Sequence, residues 1–190
     1  AVTGVQTCAL PIYSAGVLVY VYTGDITILD LQFVGTLGRN SNPSVGIQWS
    51  SSGEGRTHEQ DAPYGYTSGV SIKGCQFYTC SIAMEMFGSS GFADTLQCEG
   101  NAVTIASKDS ATPKFGNYWE FTSGTYSTTL VGLNLSNTIA NDIKVIGGGF
   151  NGDKSYVSKG VVASGSVPIS LWMTNVTFSD FDFGSSYALD

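Results

Sequence analysis

Four stretches of this chain obey one eight-residue rule: apolar, any, apolar, any, small or polar, variable, any, large apolar. They read ITILDLQF from Ile26, VSIKGCQF from Val70, IKVIGGGF from Ile143 and LWMTNVTF from Leu171. Two looser copies start at Leu96 (LQCEGNAV) and Trp119 (WEFTSGTY), so the six copies follow one another by 44, 26, 23, 24 and 28 residues. Alternation with a period of two marks a strand with one buried face. The fifth position is Asp30, Gly74, Gly100, Ser123, Gly147 or Asn175, residue types that bend the backbone at little steric cost. Each copy therefore predicts strand, corner, short strand. A further apolar segment follows at Val45 to Trp49, Ile82 to Met86 and Gly160 to Ala163, and no stretch has helical periodicity long enough to intervene. Short strands repeated at this spacing bury their faces only by stacking copy on copy, so the expected fold is an all-β solenoid of about six coils of 23–28 residues with one long insertion.

Stacked in register, equivalent positions form columns. The eighth position gives Phe33, Phe77, Val103, Tyr126, Phe150 and Phe178, an expected stack of buried rings. The first position gives Ile26, Val70, Leu96, Trp119, Ile143 and Leu171, and the third gives Ile28, Ile72, Cys98, Phe121, Val145 and Met173. Inward parity makes all three columns core. The outward second and fourth positions carry Thr27, Ser71, Gln97, Glu120, Lys144, Trp172 and Leu29, Lys73, Glu99, Thr122, Ile146, Thr174.

Fifteen Asp and Glu against eight Lys and Arg give a net charge of −7 and a pI near 4.4. That balance opposes phosphate backbones and anionic lipid surfaces, so nucleic acid and membrane are not expected partners. No apolar run approaches the ~20 residues of a bilayer span. With His58 the one histidine, HExxH and two-histidine zinc sites are excluded. Cys75, Cys80 and Cys98 lack metal-ligand spacing and are expected to be buried free thiols, so neither metal nor cofactor is predicted. Gly147-x-Gly149-x-x-Gly152 matches a dinucleotide fingerprint, but the polar Asp153 to Ser158 stretch offers no helix to meet a pyrophosphate, so its glycines read as a repeat corner. Asp182-Phe183-Gly184 is a chance tripeptide. Asn134-Leu135-Ser136 and Asn175-Val176-Thr177 match glycosylation acceptors.

Val2 to Ile12 reads VTGVQTCALPI, which resembles the frame translation of a common short-read sequencing adapter. Residues 1–12 are therefore set aside from the fold, and the native chain is expected to enter near Tyr13 as a β-solenoid fragment over 13–190, truncated at one or both ends.

From about Val17 to Phe183, the coil repeats resemble the right-handed parallel β-helix proteins, the pectate-lyase-like superfamily and the phage tailspikes. The resemblance implies a right-handed parallel β-helix, carried outside the cell or on a virion. Its catalytic signatures do not carry over. Polygalacturonase-like members have an Asn-Thr-Asp segment and a Gly-His-Gly segment; here Asn137-Thr138-Ile139 lacks the acid and no Gly-His-Gly occurs. No coil presents the calcium-binding acids of the pectate lyases.

Candidate site residues fall in two places. Glycoside cleavage commonly uses paired carboxylates, and the pattern places Glu99 and Glu120 on neighbouring coils, with backbones roughly 8 Å apart on the diagonal. The same register puts Lys73 beside Glu99 and Lys144 beside Glu120, which predicts two cross-strand ion pairs. The insertion from Ser50 to Ser68 gathers Arg56, His58, Glu59, Asp61, Tyr64 and Tyr66, acid, base and sugar-stacking types on one long loop. Trp172 adds an outward aromatic. The resulting expectation is a polysaccharide-binding β-helix of tailspike or fibre type, with cleavage wherever carboxylates face each other unpaired. A secreted pectate-lyase-like enzyme and a non-enzymatic adhesin or structural solenoid are the alternatives. An outward apolar stripe is the expected mark of a homotrimer.

Overall fold

A computed structural model describes residues 16–21, 25–35, 44–49, 67–86, 88–107, 116–135, 140–155, 157–163, 168–181 and 187–189. The strands are β1 (Gly16–Val21), β2 (Thr27–Leu29), β3 (Gln32–Val34), β4 (Ser44–Trp49), β5 (Thr67–Lys73), β6 (Gln76–Tyr78), β7 (Ile82–Met86), β8 (Ser89–Asp94), β9 (Gln97–Ser107), β10 (Asn117–Asn134), β11 (Asn141–Asn151), β12 (Lys159–Val162), β13 (Ile169–Thr174), β14 (Thr177–Ser179) and β15 (Tyr187–Leu189). All fifteen join one curled sheet, every pairing is parallel, and there is no helix among the described residues.

The pairings resolve into three ladders. The first runs β2, β5, β8, the start of β10, the start of β11, β13. The second runs β3, β6, the start of β9, the middle of β10, the end of β11, β14. The third runs β1, β4, β7, the ends of β9 and β10, β12, β15. The chain thus visits the ladders in turn, in a solenoid-like path.

The corner between the first and second ladders is a left-handed residue on every rung: Asp30 (φ 52°), Gly74 (64°), Thr95 (55°), Ser123 (53°), Gly147 (67°) and Asn175 (56°). Five of the six are the expected fifth positions. The third departs, because Leu96 does not open a first-ladder strand. Gly91 lies opposite Val70 and Trp119, and Ala93 opposite Ile72 and Phe121, so the third copy begins at Gly91. The physical reason is a second corner five positions on, where Thr79 (φ 53°), Gly100 (66°) and Asp180 (61°) are also left-handed. Gly100 imitates the first corner, while the true one is occupied by Thr95, a β-branched residue rarely found at positive φ. Gly91 hides the start of the copy as well: a Cβ there would lie 2.7 Å from the Trp119 indole, so the large ring fills the room its neighbour leaves.

The core follows the corrected columns. Phe33, Phe77, Cys98, Tyr126, Phe150 and Phe178 share the eighth column, and Val103 belongs instead to the third ladder, opposite Ile82 and Val131. Cys98 divides the rings into two stacks. Phe33 and Phe77 lie 4.7 Å apart at 8°, Tyr126 and Phe150 4.8 Å at 28°, Phe150 and Phe178 5.4 Å at 14°. Across the core these rings meet glycines of the third ladder. A Cβ on Gly46 would come within 2.8 Å of Phe77, and one on Gly132 within 2.6 Å of Phe150.

Several buried polar side chains near the turns are satisfied by groups on other strands, as low-dielectric surroundings require. The Asn117 amide donates to Asn141 Oδ1 (3.0 Å) and Ser107 Oγ (3.1 Å), and Trp119 Nε1 donates to Ser89 Oγ (3.0 Å). At the second corner the Cys80 N–H donates to Asn101 Oδ1 (2.9 Å), whose amide donates to the Phe77 carbonyl (3.0 Å).

Candidate functional site

The outward face of the first ladder gathers most of the exposed large apolar side chains. Strand parity puts three columns there. One holds Ser90, Tyr118, Asp142 and Ser170; the next Thr27, Ser71, Phe92, Glu120, Lys144 and Trp172; the last Leu29, Lys73, Asp94, Thr122, Ile146 and Thr174. Trp172 is 66% exposed, Tyr118 53% and Phe92 40%. The Trp172 Nε1 donates to Ser170 Oγ at 3.2 Å, a bond along its own strand that fixes the plane of an otherwise free indole. From the strand spacing, Phe92 and Trp172 are three rungs, ~14 Å, apart, and Tyr118 lies ~12 Å from Trp172 on the diagonal.

Both lysines of this face lie against carboxylates. Lys73 lies opposite Asp94, with Nζ 3.7 Å from Oδ2, and Lys144 lies opposite Glu120, with Nζ 3.6 Å from Oε2. The Thr122 hydroxyl donates to Asp94 Oδ1 at 2.7 Å. That hydrogen bond, with Lys73 as a lesser cause, holds the Asp94 carboxyl below its ordinary range. In both pairs the lysine is exposed and the acid half-buried, an arrangement worth ~0–1 kcal/mol each.

Of the sequence candidates, Trp172 and Glu120 lie on this face and Glu99 does not. The register change carries Glu99 into the second ladder, opposite Tyr78, and gives its expected place beside Lys73 to Asp94. The expected Glu120–Lys144 pair forms; the expected Glu99–Lys73 pair does not, and Glu99 and Glu120 are separated by a corner. Phe92 and Asp94 escaped the sequence reading because they lie in the misregistered copy. Tyr118 and Asp142 were legible by parity, one position before an inward Trp119 and Ile143. Arg56, His58, Glu59, Asp61, Tyr64 and Tyr66 lie outside the described residues.

The second ladder's outward face is a run of amides: Gln32 Nε2 donates to Gln76 Oε1 (3.5 Å), and Gln76 Nε2 to Gln97 Oε1 (3.2 Å). On the third ladder Gln48 Nε2 donates to Glu85. Cys75, Cys80 and Cys98 are free and buried. Burial raises all three thiols, Cys80 to about 12, so none is a nucleophile at neutral pH. Among the described residues no three His, Cys, Asp or Glu side chains are grouped to hold a metal ion, and no helix is long and apolar enough to cross a membrane.

A scan against protein-family models finds no matching family, and a search of curated proteins finds no significant relative.

Proposed function

We propose that the chain is part of a right-handed parallel β-helix, secreted or carried on a virion, that binds polysaccharide across the outward face of its first ladder. One observation carries the reading: Trp172, held in plane by Ser170, stands exposed on the same outward face as Tyr118 and Phe92. Aromatic rings offer rigid apolar area to the C–H faces of sugar rings at small entropic cost, and their spread of ~14 Å spans several residues of an extended glycan. Five of the eight exposed large apolar side chains among the described residues, Leu29, Phe92, Tyr118, Ile146 and Trp172, lie on this one face. Binding is favoured over cleavage because Asp94 and Glu120 are both committed to lysines. Glycoside cleavage needs one carboxyl protonated, and Asp94 is held the opposite way.

The test is retention of the protein on immobilised polysaccharides, with Trp172→Ala as the comparison. Loss of retention in the variant at unchanged thermal stability supports the reading. Equal retention of both proteins removes the first ladder from it.

A second reading rests on Leu29 and Ile146, which add exposed apolar surface to the same face. They favour association between copies, as in a homotrimer, and sedimentation equilibrium of Leu29→Glu against the parent chain tests it.

A further inference from the structure

The chemistry of the ligand is constrained by where the cations of this face have gone. Resting on the polysaccharide reading above, we infer that the ligand is an uncharged polysaccharide, not a polyuronate or other anionic polymer. An anionic chain would need cations free to meet its carboxylates or sulfates. Among the described residues the first-ladder face has two lysines, and each already lies against a carboxylate, Lys73 on Asp94 and Lys144 on Glu120. Asp142 stands in the adjoining column opposite Tyr118 and Ser170, and leaves this face with one more negative than positive group. Away from it, Lys154 is paired with Asp180 at 2.9 Å. No arginine falls among the described residues, since Arg39 and Arg56 lie outside them. The chain as a whole carries −7, so its long-range field repels a polyanion before any contact is made.

The usual remedy for such a mismatch is a bridging divalent cation, and no acid cluster suited to one exists among the described residues. What the face does offer an uncharged sugar is complete. Trp172, Tyr118 and Phe92 supply apolar platforms. Between them, Ser170, Thr122 and the rims of two ion pairs supply hydroxyl and charged groups able to donate to, and accept from, sugar hydroxyls. Neutral hydroxyls can meet these ion pairs without loss, whereas an anion that approaches either lysine also meets the carboxylate beside it, which cancels most of the attraction.

The experiment is affinity electrophoresis of the full chain through gels containing dextran, mixed-linkage β-glucan, galactomannan, polygalacturonate or alginate. The inference predicts retardation by at least one of the three neutral polymers and none by the two polyuronates. Trp172→Ala should weaken the neutral interaction at least about tenfold and Trp172→Phe should restore most of it. Raising salt from about 0.1 to about 1 M, which shortens the Debye length from ~10 to ~3 Å, should leave neutral binding unchanged. The double substitution Glu120→Gln with Asp142→Asn frees Lys144 and reverses the sign of the face, so it should create salt-sensitive retardation by the polyuronates. Retardation of the parent chain by a polyuronate, lost in Trp172→Ala and lost in high salt, overturns the inference and leaves the polysaccharide reading standing. Failure of all five polymers, or retardation indifferent to Trp172, overturns both.

Discussion

Tyr126 is the one described member of the eighth column that carries a polar atom on its ring. The side chain is fully buried, stacked 4.8 Å from Phe150, and its hydroxyl has no hydrogen-bond partner. Burial drives its ionisation well above the ordinary range, so the group is neutral as well as unsatisfied. A buried hydroxyl without a partner costs ~1–3 kcal/mol relative to water. Tyr126→Phe removes that cost, retains the stack, and matches the phenylalanines at 33, 77, 150 and 178. Against it stands the hydroxyl-sized void left behind, roughly 10 Å³, which at ~24 cal/mol per Å³ costs about 0.2 kcal/mol. The expected result is a gain of about 1–3 kcal/mol. In urea this appears as a higher midpoint with unchanged slope, and in a thermal melt as a rise of ~2–12 °C for a chain of this size. A loss of about 1 kcal/mol or more would refute the reasoning, because it would mean the hydroxyl is bonded in the native protein.

Phe77 is fully buried against Phe33 and Gly46, so Phe77→Ala should cost ~3–5 kcal/mol in the same urea assay; an unchanged midpoint would remove Phe77 from the core. Gly91→Ala should be destabilising, because its Cβ meets both the Trp119 indole and the Val70 carbonyl oxygen; a double-mutant cycle with Trp119→Leu reads the part owed to the ring, and the part owed to the backbone carbonyl should remain. Asp94 is held below its ordinary value of 3.8 chiefly by the Thr122 hydroxyl. Its contribution is therefore full above about pH 4 and is lost as pH falls through the lowered value; Thr122→Val should flatten stability against pH in that acid range, measured by urea midpoints from pH 5 downward. Iodoacetamide at pH 8 should leave Cys75, Cys80 and Cys98 unlabelled in the native protein and label all three in denaturant, read by peptide mass spectrometry.

How far the sequence reaches is seen best by comparing the third rung with the others. Where the eighth position is Phe33, Phe77, Phe150 or Phe178, period-two alternation and a corner residue located both short strands and their parallel neighbours. At the third rung two local rules pointed the wrong way. Thr95 turns where glycine was expected, and Gly100 turns at the second corner, where no turn had been sought. The resulting five-residue displacement left parity intact, because the corner at Thr95 takes up the odd residue: Leu96 and Cys98 are buried and Glu99 is outward, as the pattern expected. What it changed is the ladder, so that Phe92 and Asp94 were missed on the first and Glu99 lies on the second. The correct start was masked by fit between rungs, since a Cβ on Gly91 would meet the Trp119 indole on one adjacent strand and the Val70 carbonyl on the other. Such pairing is a property of stacked neighbours, which a pattern applied to one copy at a time cannot register. The buried asparagines were opaque for a related reason: Asn117 and Asn101 look like loop residues until their partners on other rungs are known.

The central claim is that the first ladder's outward face receives the glycan, and side-chain footprinting addresses it most directly. Hydroxyl radicals should label Phe92, Tyr118 and Trp172 in the free protein, along with Leu130 and Val157, which are exposed elsewhere. With a retarding polysaccharide bound, the account predicts protection of the first three and unchanged labelling of Leu130 and Val157. Protection confined to Leu130 or Val157, with Trp172 labelled as before, would contradict it.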